Sequence, residues 1–428
     1  MLARGGQLLS GRLGPDFLKL WLASSCSSLG DGVLLAAGPL LLSSITTDPA
    51  LVAGAVAVQQ APWVLVSLPA GAFVDRVNRK ALVGWVSLIR GSVLALLAVL
   101  ISARLAAVPA IYALLFILGV CEVLADNAYS TLVPMAVQKE DLARANGRLG
   151  ATFMASNQLI GPAFGAFLFS VARGFPFALD AVAYLAAMGL IFLLRQRYEI
   201  PKDDDVEKPG MLSDILDGLR WLKGATSIRL LALMMSVVNL TFMSAFSVLV
   251  LLARERLGLT GTGFGLLLAV SAAGGIAGAT TVAWLRARIS LSVLLRAGML
   301  VEAGGLIVLG LVRDPYLAGA SMAVASFVST LWGVSVLSYR QAAVPSRLQG
   351  RVNSVFYMAV LGSSALGALA GGFIARLVGV SHTFVLAGLA DVILAALMWR
   401  QLKGADREEG EAGAAAEAGP ASEAVGAD

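Results

Sequence analysis

Apolar stretches of about 20 residues, long enough to cross a hydrocarbon core as helices, recur twelve times along these 428 residues. They lie at 17–42, 51–74, 81–101, 107–131, 148–171 and 176–195, then at 228–252, 261–285, 291–311, 315–338, 353–377 and 381–400. The first is too long for a secretory leader and lacks a small-residue exit site, so it is read as a span. Average soluble domains carry roughly a quarter charged residues. This chain has 14%, with 58% hydrophobic residues and a mean hydropathy of +0.82. The expectation is an all-α membrane protein with twelve transmembrane helices.

The same composition removes whole classes of chemistry. A lone His382 forbids a multi-histidine metal site or a histidine-based triad within the chain. Cys26 and Cys121 both lie in apolar runs, so neither a disulfide framework nor a CxxC zinc site is expected. No GxxxxGK[ST] sequence is present, and with it goes a built-in ATPase. The chain is expected to be no enzyme and to carry no cofactor and no metal. Its expected partners are a small-molecule substrate, protons and the lipid bilayer, with no nucleic acid.

Basic residues set the orientation. If the spans alternate, 24 of the 32 lysines and arginines fall on the side shared by both termini, and six on the other. Arg90 and Arg296 lie within spans. Both termini are therefore expected in the cytoplasm of a bacterial cell, with the protein multi-pass in its inner membrane. The longest internal loop contains Pro201-Lys202-Asp203-Asp204-Asp205 and divides the spans six and six. This gives an N-terminal lobe at 1–195, an interlobe segment at 196–227, a C-terminal lobe at 228–402 and an acidic tail at 403–428. Within the interlobe segment, Met211–Lys223 has the apolar spacing of an interfacial amphipathic helix. The tail, rich in Ala, Gly and Glu, has nothing to bury and is expected to be disordered.

The halves repeat each other. Arg90-Gly91 recurs as Arg296-Ala297, and Gly161, Gly165 and Phe167 recur as Gly367, Gly371 and Phe373, at one common offset. Val133-Pro134 with Arg144-Ala145-Asn146 has its echo in Val344-Pro345 with Arg351-Val352-Asn353. Parallel six-helix repeats belong to two-lobed secondary transporters, with a site between the lobes near the midplane.

The connection after the second span reads Gly71-Ala72-Phe73-Val74-Asp75-Arg76-Val77-Asn78-Arg79-Lys80. It resembles the G-x-x-x-D-R-x-G-R-K signature of the major facilitator superfamily, and the resemblance extends over the whole chain except the tail. Asn78 stands at the signature's glycine and tolerates the left-handed backbone such a turn uses. The resemblance implies a gate on the cytoplasmic side, in which Asp75 meets the eleventh span near Arg351 and Arg79 pairs with Asp126. It also implies a monomer. Gly161-Pro162-Ala163-Phe164-Gly165-Ala166 in the fifth span resembles the Gly-Pro-x-x-Gly-Gly element of exporters, with Ala166 and Asn157 departing from its glycines. As physics, Gly161, Pro162 and Gly165 describe a bend with a thin face. Leu29-Gly30-Asp31 and the stretch Glu122 to Gly147 resemble the bacterial branch holding the enterobactin exporter and macrolide and multidrug efflux proteins.

Charges inside spans are costly unless they face a cavity or a partner. Asp31 lies mid-span between Gly30 and Gly32, Glu122 and Asp126 share a helix face at i,i+4, and Arg90 lies in the third span. Either Arg90 locks one acid in the N-terminal lobe, or Asp31 and Glu122 line the cavity as protonatable groups. Glu302, Arg296 and Asp391 are expected to be structural. Asn239, Phe242, Phe246, Trp332 and Tyr357 are the candidates for the cavity surface of the C-terminal lobe. The functional expectation is an efflux transporter for an amphiphilic compound (drug, antibiotic or siderophore-like) driven by proton antiport; an importer or lipid flippase is the alternative.

Overall fold

The computed structural model describes residues 13–74, 77–194, 220, 223–344 and 349–403. Every regular element among them is helical. The first span is α1 (Gly14–Ile45) and the second is α2 (Pro49–Leu65) with α3 (Ser67–Val74). The third and fourth are α4 (Arg79–Ser102) and α5 (Val108–Ala136). The fifth is composite: α6 (Leu142–Phe153), a π-helical segment (Met154–Ile160) and α7 (Gly161–Val171). The sixth is α8 (Phe175–Phe192). In the second half, α9 (Thr226–Phe246) and α10 (Leu249–Glu255) form the seventh span. Then come α11 (Gly261–Arg286), α12 (Leu291–Leu311), α13 (Pro315–Ala343), α14 (Gln349–Val378) and α15 (Val380–Lys403). The expected amphipathic stretch Met211–Lys223 and the acidic tail lie, but for three or fewer of their residues, outside the described residues.

Ten of the twelve spans are long and apolar enough to cross a bilayer. The second, fifth and seventh are interrupted, and proline explains the first two breaks. Pro69 has no N–H for the carbonyl of Leu65, four residues back, and its ring crowds that carbonyl. The helix accordingly stops at Leu65 and restarts at Ser67. Pro162 does the same to Gln158, and the backbone relaxes into wider π turns, with the Gly161 N–H bonding the Ser156 carbonyl. Side chains finish the helix starts: Asp48 accepts from the Ala50 N–H (2.9 Å), Asp314 from that of Leu317 (2.8 Å) and Asn78 from that of Ala81 (3.0 Å). Asn78 has φ −64° and ψ 110°. It caps α4 and makes no left-handed turn, because an asparagine carbonyl satisfies an orphan N–H where glycine could not.

The glycine repeat marks one contact made twice. A Cβ on Gly165 would lie 2.5 Å from the Val33 carbonyl oxygen, and one on Gly161 2.7 Å from the Gly32 Cα. In the second half, Gly367 and Gly371 press equally closely on the backbones of Leu240 and Ser244. The first span thus meets the fifth, and the seventh meets the eleventh, backbone against backbone.

Packing differs between the two ends of the bundle. At the end of the short odd-numbered connections, one core joins both halves: Leu41, Leu97, Leu115 and Phe177 pack in the same cluster as Val250, Leu252, Phe264 and Phe384. At the basic end, Leu20, Leu132 and Ile191 form one cluster, while Ile228, Met234, Trp332 and Tyr339 form another. Among the described residues no core cluster bridges the halves there.

Gly371→Val should destabilise the protein by about 1–3 kcal/mol, the usual range for overpacking. Gly333→Ala, with nothing within 4 Å of the added carbon, should be neutral or slightly stabilising. Thermal unfolding in detergent would check both; equal melting of the two variants would contradict the packing described.

Candidate functional site

A cavity of about 630 Å³ occupies the space where the halves part. It runs from Leu20, Val133 and Asn146 near the basic end to Leu35 and Pro39 deep in the bundle. Its wall comes from the first five spans, and the seventh closes it with Met243 and Phe246.

The ionisable groups of that wall are Asp31, Glu122, Asp126, Arg90 and Tyr129, three carboxyls and a phenol against one base. Arg90 is 3% exposed. Its Nη2 donates to Asp31 Oδ1, and its guanidinium lies 4.3 Å from the centroid of the Tyr184 ring. The Tyr184 hydroxyl donates to the same Asp31 oxygen at 2.7 Å. First, third and sixth spans are therefore tied at a single carboxylate. Arg90 thus pairs with an acid that also lines the cavity. Glu122 and Asp126 add further carboxyls along one face of the fourth span.

The glycines beside Asp31 have distinct jobs. A Cβ on Gly32 would run into the backbone of Asn157 in the π segment, and one on Gly30 would overlap the Asp180 carboxyl. The π segment in turn puts the Asn157 side chain into the cavity wall. Wider π turns are frequent at functional sites.

Other expected site residues fall elsewhere. The Arg79 guanidinium lies against Met135 Sδ (3.5 Å). Asp126, nine residues earlier on that helix, lines the cavity, so the two expected gate partners stand apart in this conformation. Asp126 follows Glu122 by one turn and must share its face. Lys80 Nζ donates to the Leu194 carbonyl (2.6 Å), as Lys19 does to that of Leu193 (2.7 Å), closing the C-terminal end of α8 where cations are favoured. Gly71 lies within α3. Asp75 and Arg76 are outside the described residues, as are the side chains of Arg351 and Tyr357.

Of the expected aromatic and polar surface of the second half, Phe246 lines the cavity, with Phe242 stacked on it at 5.6 Å between centroids. Asn239 instead donates to the Val360 carbonyl (2.7 Å) and to Ser363 and Ser364, binding the seventh span to the eleventh. Trp332 is core, 7% exposed and packed over Gly298. Arg296 lies over the Trp399 ring, and Asp391 accepts from the Thr241 hydroxyl at 2.8 Å, both within the second half.

Sequence reasoning missed Asp180, Tyr184 and Tyr129. Asp180 carried a usable signal: an acid five residues inside a span, with no base within a turn on either side.

The halves also meet through charged contacts at the closed end. Arg254 Nη1 donates to the Ser43 carbonyl (2.5 Å) and hydroxyl (3.1 Å), and Arg376 lies 3.8 Å from Asp48 Oδ2. Thr262 reaches Ser170 at 3.4 Å.

The sequence profile of a family described as transmembrane secretion effector matches residues 14–424. No curated protein matches the chain in sequence. Solved structures match over nearly the full length. A mutant of the nucleoside transporter NupG superposes with a TM-score of 0.76 at 12% identity, covering 91% of this chain and all of that one. A bacterial homologue of the human lysosomal transporter Spinster, inward-facing and unoccupied, gives 0.72 at 14% identity, covering 94% and 98%. A bacterial homologue of the iron transporter ferroportin, inward-facing, gives 0.66 at 17% identity, covering 89% and 97%. All three are similar in fold.

Arg254→Ala with Asp48→Asn should favour opening of the end that is closed here. Losing two partly exposed polar contacts, worth about 1 kcal/mol or less each, should raise the open share several-fold. Spin labels at Thr47→Cys and Val380→Cys, with Cys26 and Cys121 replaced by alanine, should then show a longer distance population. An unchanged distance distribution would contradict the latch.

Proposed function

Because the chain belongs to the transmembrane secretion effector family and has the fold of the major facilitator superfamily, we propose that it exports a small amphiphilic compound, often cationic, by proton antiport. In this reading the protein is a monomer in the bacterial cytoplasmic membrane with both termini in the cytoplasm. The basic end then faces the cytoplasm, and the conformation described is the one that takes up substrate from inside.

The observation that carries this reading is the excess of carboxyls in the cavity wall: Asp31, Glu122 and Asp126 against Arg90 alone. Uncompensated charge at membrane depth costs several kcal/mol. A cation can neutralise it, and so can a proton. Both therefore compete for the same oxygens, and competition at one site is antiport in its simplest form. Substrate arriving from the cytoplasm displaces protons, the lobes rock, and protons entering from outside displace substrate. Phe246 and Met243 offer apolar and aromatic surface to the body of such a compound. The family's description as a secretion effector supports export over import.

The test uses an efflux-deficient bacterium and a panel of antibiotics and dyes, with and without a protonophore, followed by proteoliposomes under a pH gradient. Expression should lower accumulation of at least one amphiphilic cation, and the protonophore should abolish the effect. Asp31→Asn and Glu122→Gln should each cut uphill transport at least tenfold while exchange without a gradient survives. Raised accumulation would reverse the direction. A double variant that still pumps with the wild-type pH dependence would overturn proton coupling through these carboxyls.

A further inference from the structure

Behind the cavity, two buried polar atoms lack partners. Arg90 Nε has no hydrogen-bond acceptor, and Asp180 Oδ1 has no donor. Both side chains are 3% exposed. Asp180 is fixed on the sixth span one turn before Tyr184, and its carboxyl fills the space that Gly30 leaves on the first span. It lies within the electrostatic reach of Arg90 and Asp31 but outside the cavity wall. Unsatisfied buried groups are rare enough to require an explanation. An empty donor and an empty acceptor in one charge cluster suggest an arrangement that is filled in another state.

We propose that Asp180 is a second seat for the Arg90 guanidinium: when a proton or a cationic substrate occupies Asp31, Arg90 re-pairs with Asp180. The proposal deepens the antiport reading and rests on it for the event that frees Arg90. The groups within electrostatic reach of Arg90 are Asp31 from the first span, Glu122, Asp126, Tyr129 and Cys121 from the fourth, and Asp180 and Tyr184 from the sixth. If Asp31 were neutralised with no second partner available, a buried guanidinium would be stranded, and removing one partner of such a pair is strongly unfavourable. Asp180 is neutral while Arg90 sits on Asp31. In the switch its O–H bond breaks as one forms at Asp31 (with a cation on Asp31 the proton leaves through the cavity instead), the Arg90–Asp31 ion pair opens, and an Arg90–Asp180 pair closes. The positive charge never goes unmatched. Asp180 is thus a positioning residue: it touches no substrate, and it makes the release of Asp31 affordable to the fold.

The experiment is a thermal-unfolding cycle on the purified full chain: wild type, Asp31→Asn, Asp180→Asn and the double variant. With Asp31 present, Asp180→Asn should move the melting temperature by less than about 2 °C. In the Asp31→Asn background, the same change should lower it by about 5 °C or more, a non-additivity that directly coupled residues show. Additive shifts would overturn the proposal. Should the double variant fail to fold, Arg90→Met added to it removes the stranded charge and should raise the monodisperse fraction several-fold; no recovery would equally overturn the proposal. The cycle uses neither substrate nor gradient. Failure of the antiport reading would appear as absent gradient-driven transport in wild type, with the cycle unaffected.

Discussion

A guanidinium buried in the membrane-spanning part of a helical bundle needs an anion beside it, and the N-terminal half is organised around that need. Arg90 takes Asp31 as its counter-charge, and Tyr184 binds the same oxygen. Three consequences follow from this contact. The first span must come close to the sixth and the fifth, which Gly30 and Gly32 allow by leaving out side chains. The fifth span must bend around the first, which Pro162 and the π segment achieve. Asp31, held at the meeting point, becomes part of the cavity wall and not of the lipid face.

In the second half the repeat partner of this arginine is held differently. Arg296, the repeat partner of Arg90, lies over Trp399 and bonds Ser292 on its own helix. The seventh and eleventh spans are joined by neutral hydrogen bonds from Asn239. The two halves repeat the glycine contacts but not the setting of this arginine. The first half supplies the carboxyls of the cavity wall, and the second supplies Met243 and Phe246. In the proposed antiport, such a division would keep the charged site intact inside one lobe while the lobes rock. The packing agrees with that motion, since the halves share a core at one end and keep separate cores at the other.

The number of spans, their division into halves and the repeat were legible in the sequence because hydropathy and one recurrent offset record them directly. The bend of the fifth span at Gly161 and Pro162 was legible as well, but its π form and the break of the second span at Pro69 were not. Hydropathy runs smoothly across Pro69 and Pro162, and what these residues remove is a backbone hydrogen bond. Asp126 was assigned to Arg79 by analogy, although its i,i+4 relation to Glu122 already placed both acids on one face. Trp332 shows the limit for aromatics: its helix could have turned either way, and the space over Gly298 on the ninth span decided it. Asp180 went unread although an acid inside a span was a usable signal; that its carboxyl sits against Gly30 of the first span only the packing reveals.

Competition between protons and a cation at the cavity carboxyls is the centre of this account, and it can be read without transport. Purified protein in detergent would be titrated with a panel of amphiphilic cations, tetraphenylphosphonium and ethidium among them, in weakly buffered solution carrying a pH indicator. Binding should release protons into the solution, and Asp31→Asn with Glu122→Gln should suppress the release. Tight binding with no proton release at any pH between about 5 and 9, the range over which buried carboxyls are documented to titrate, would contradict it.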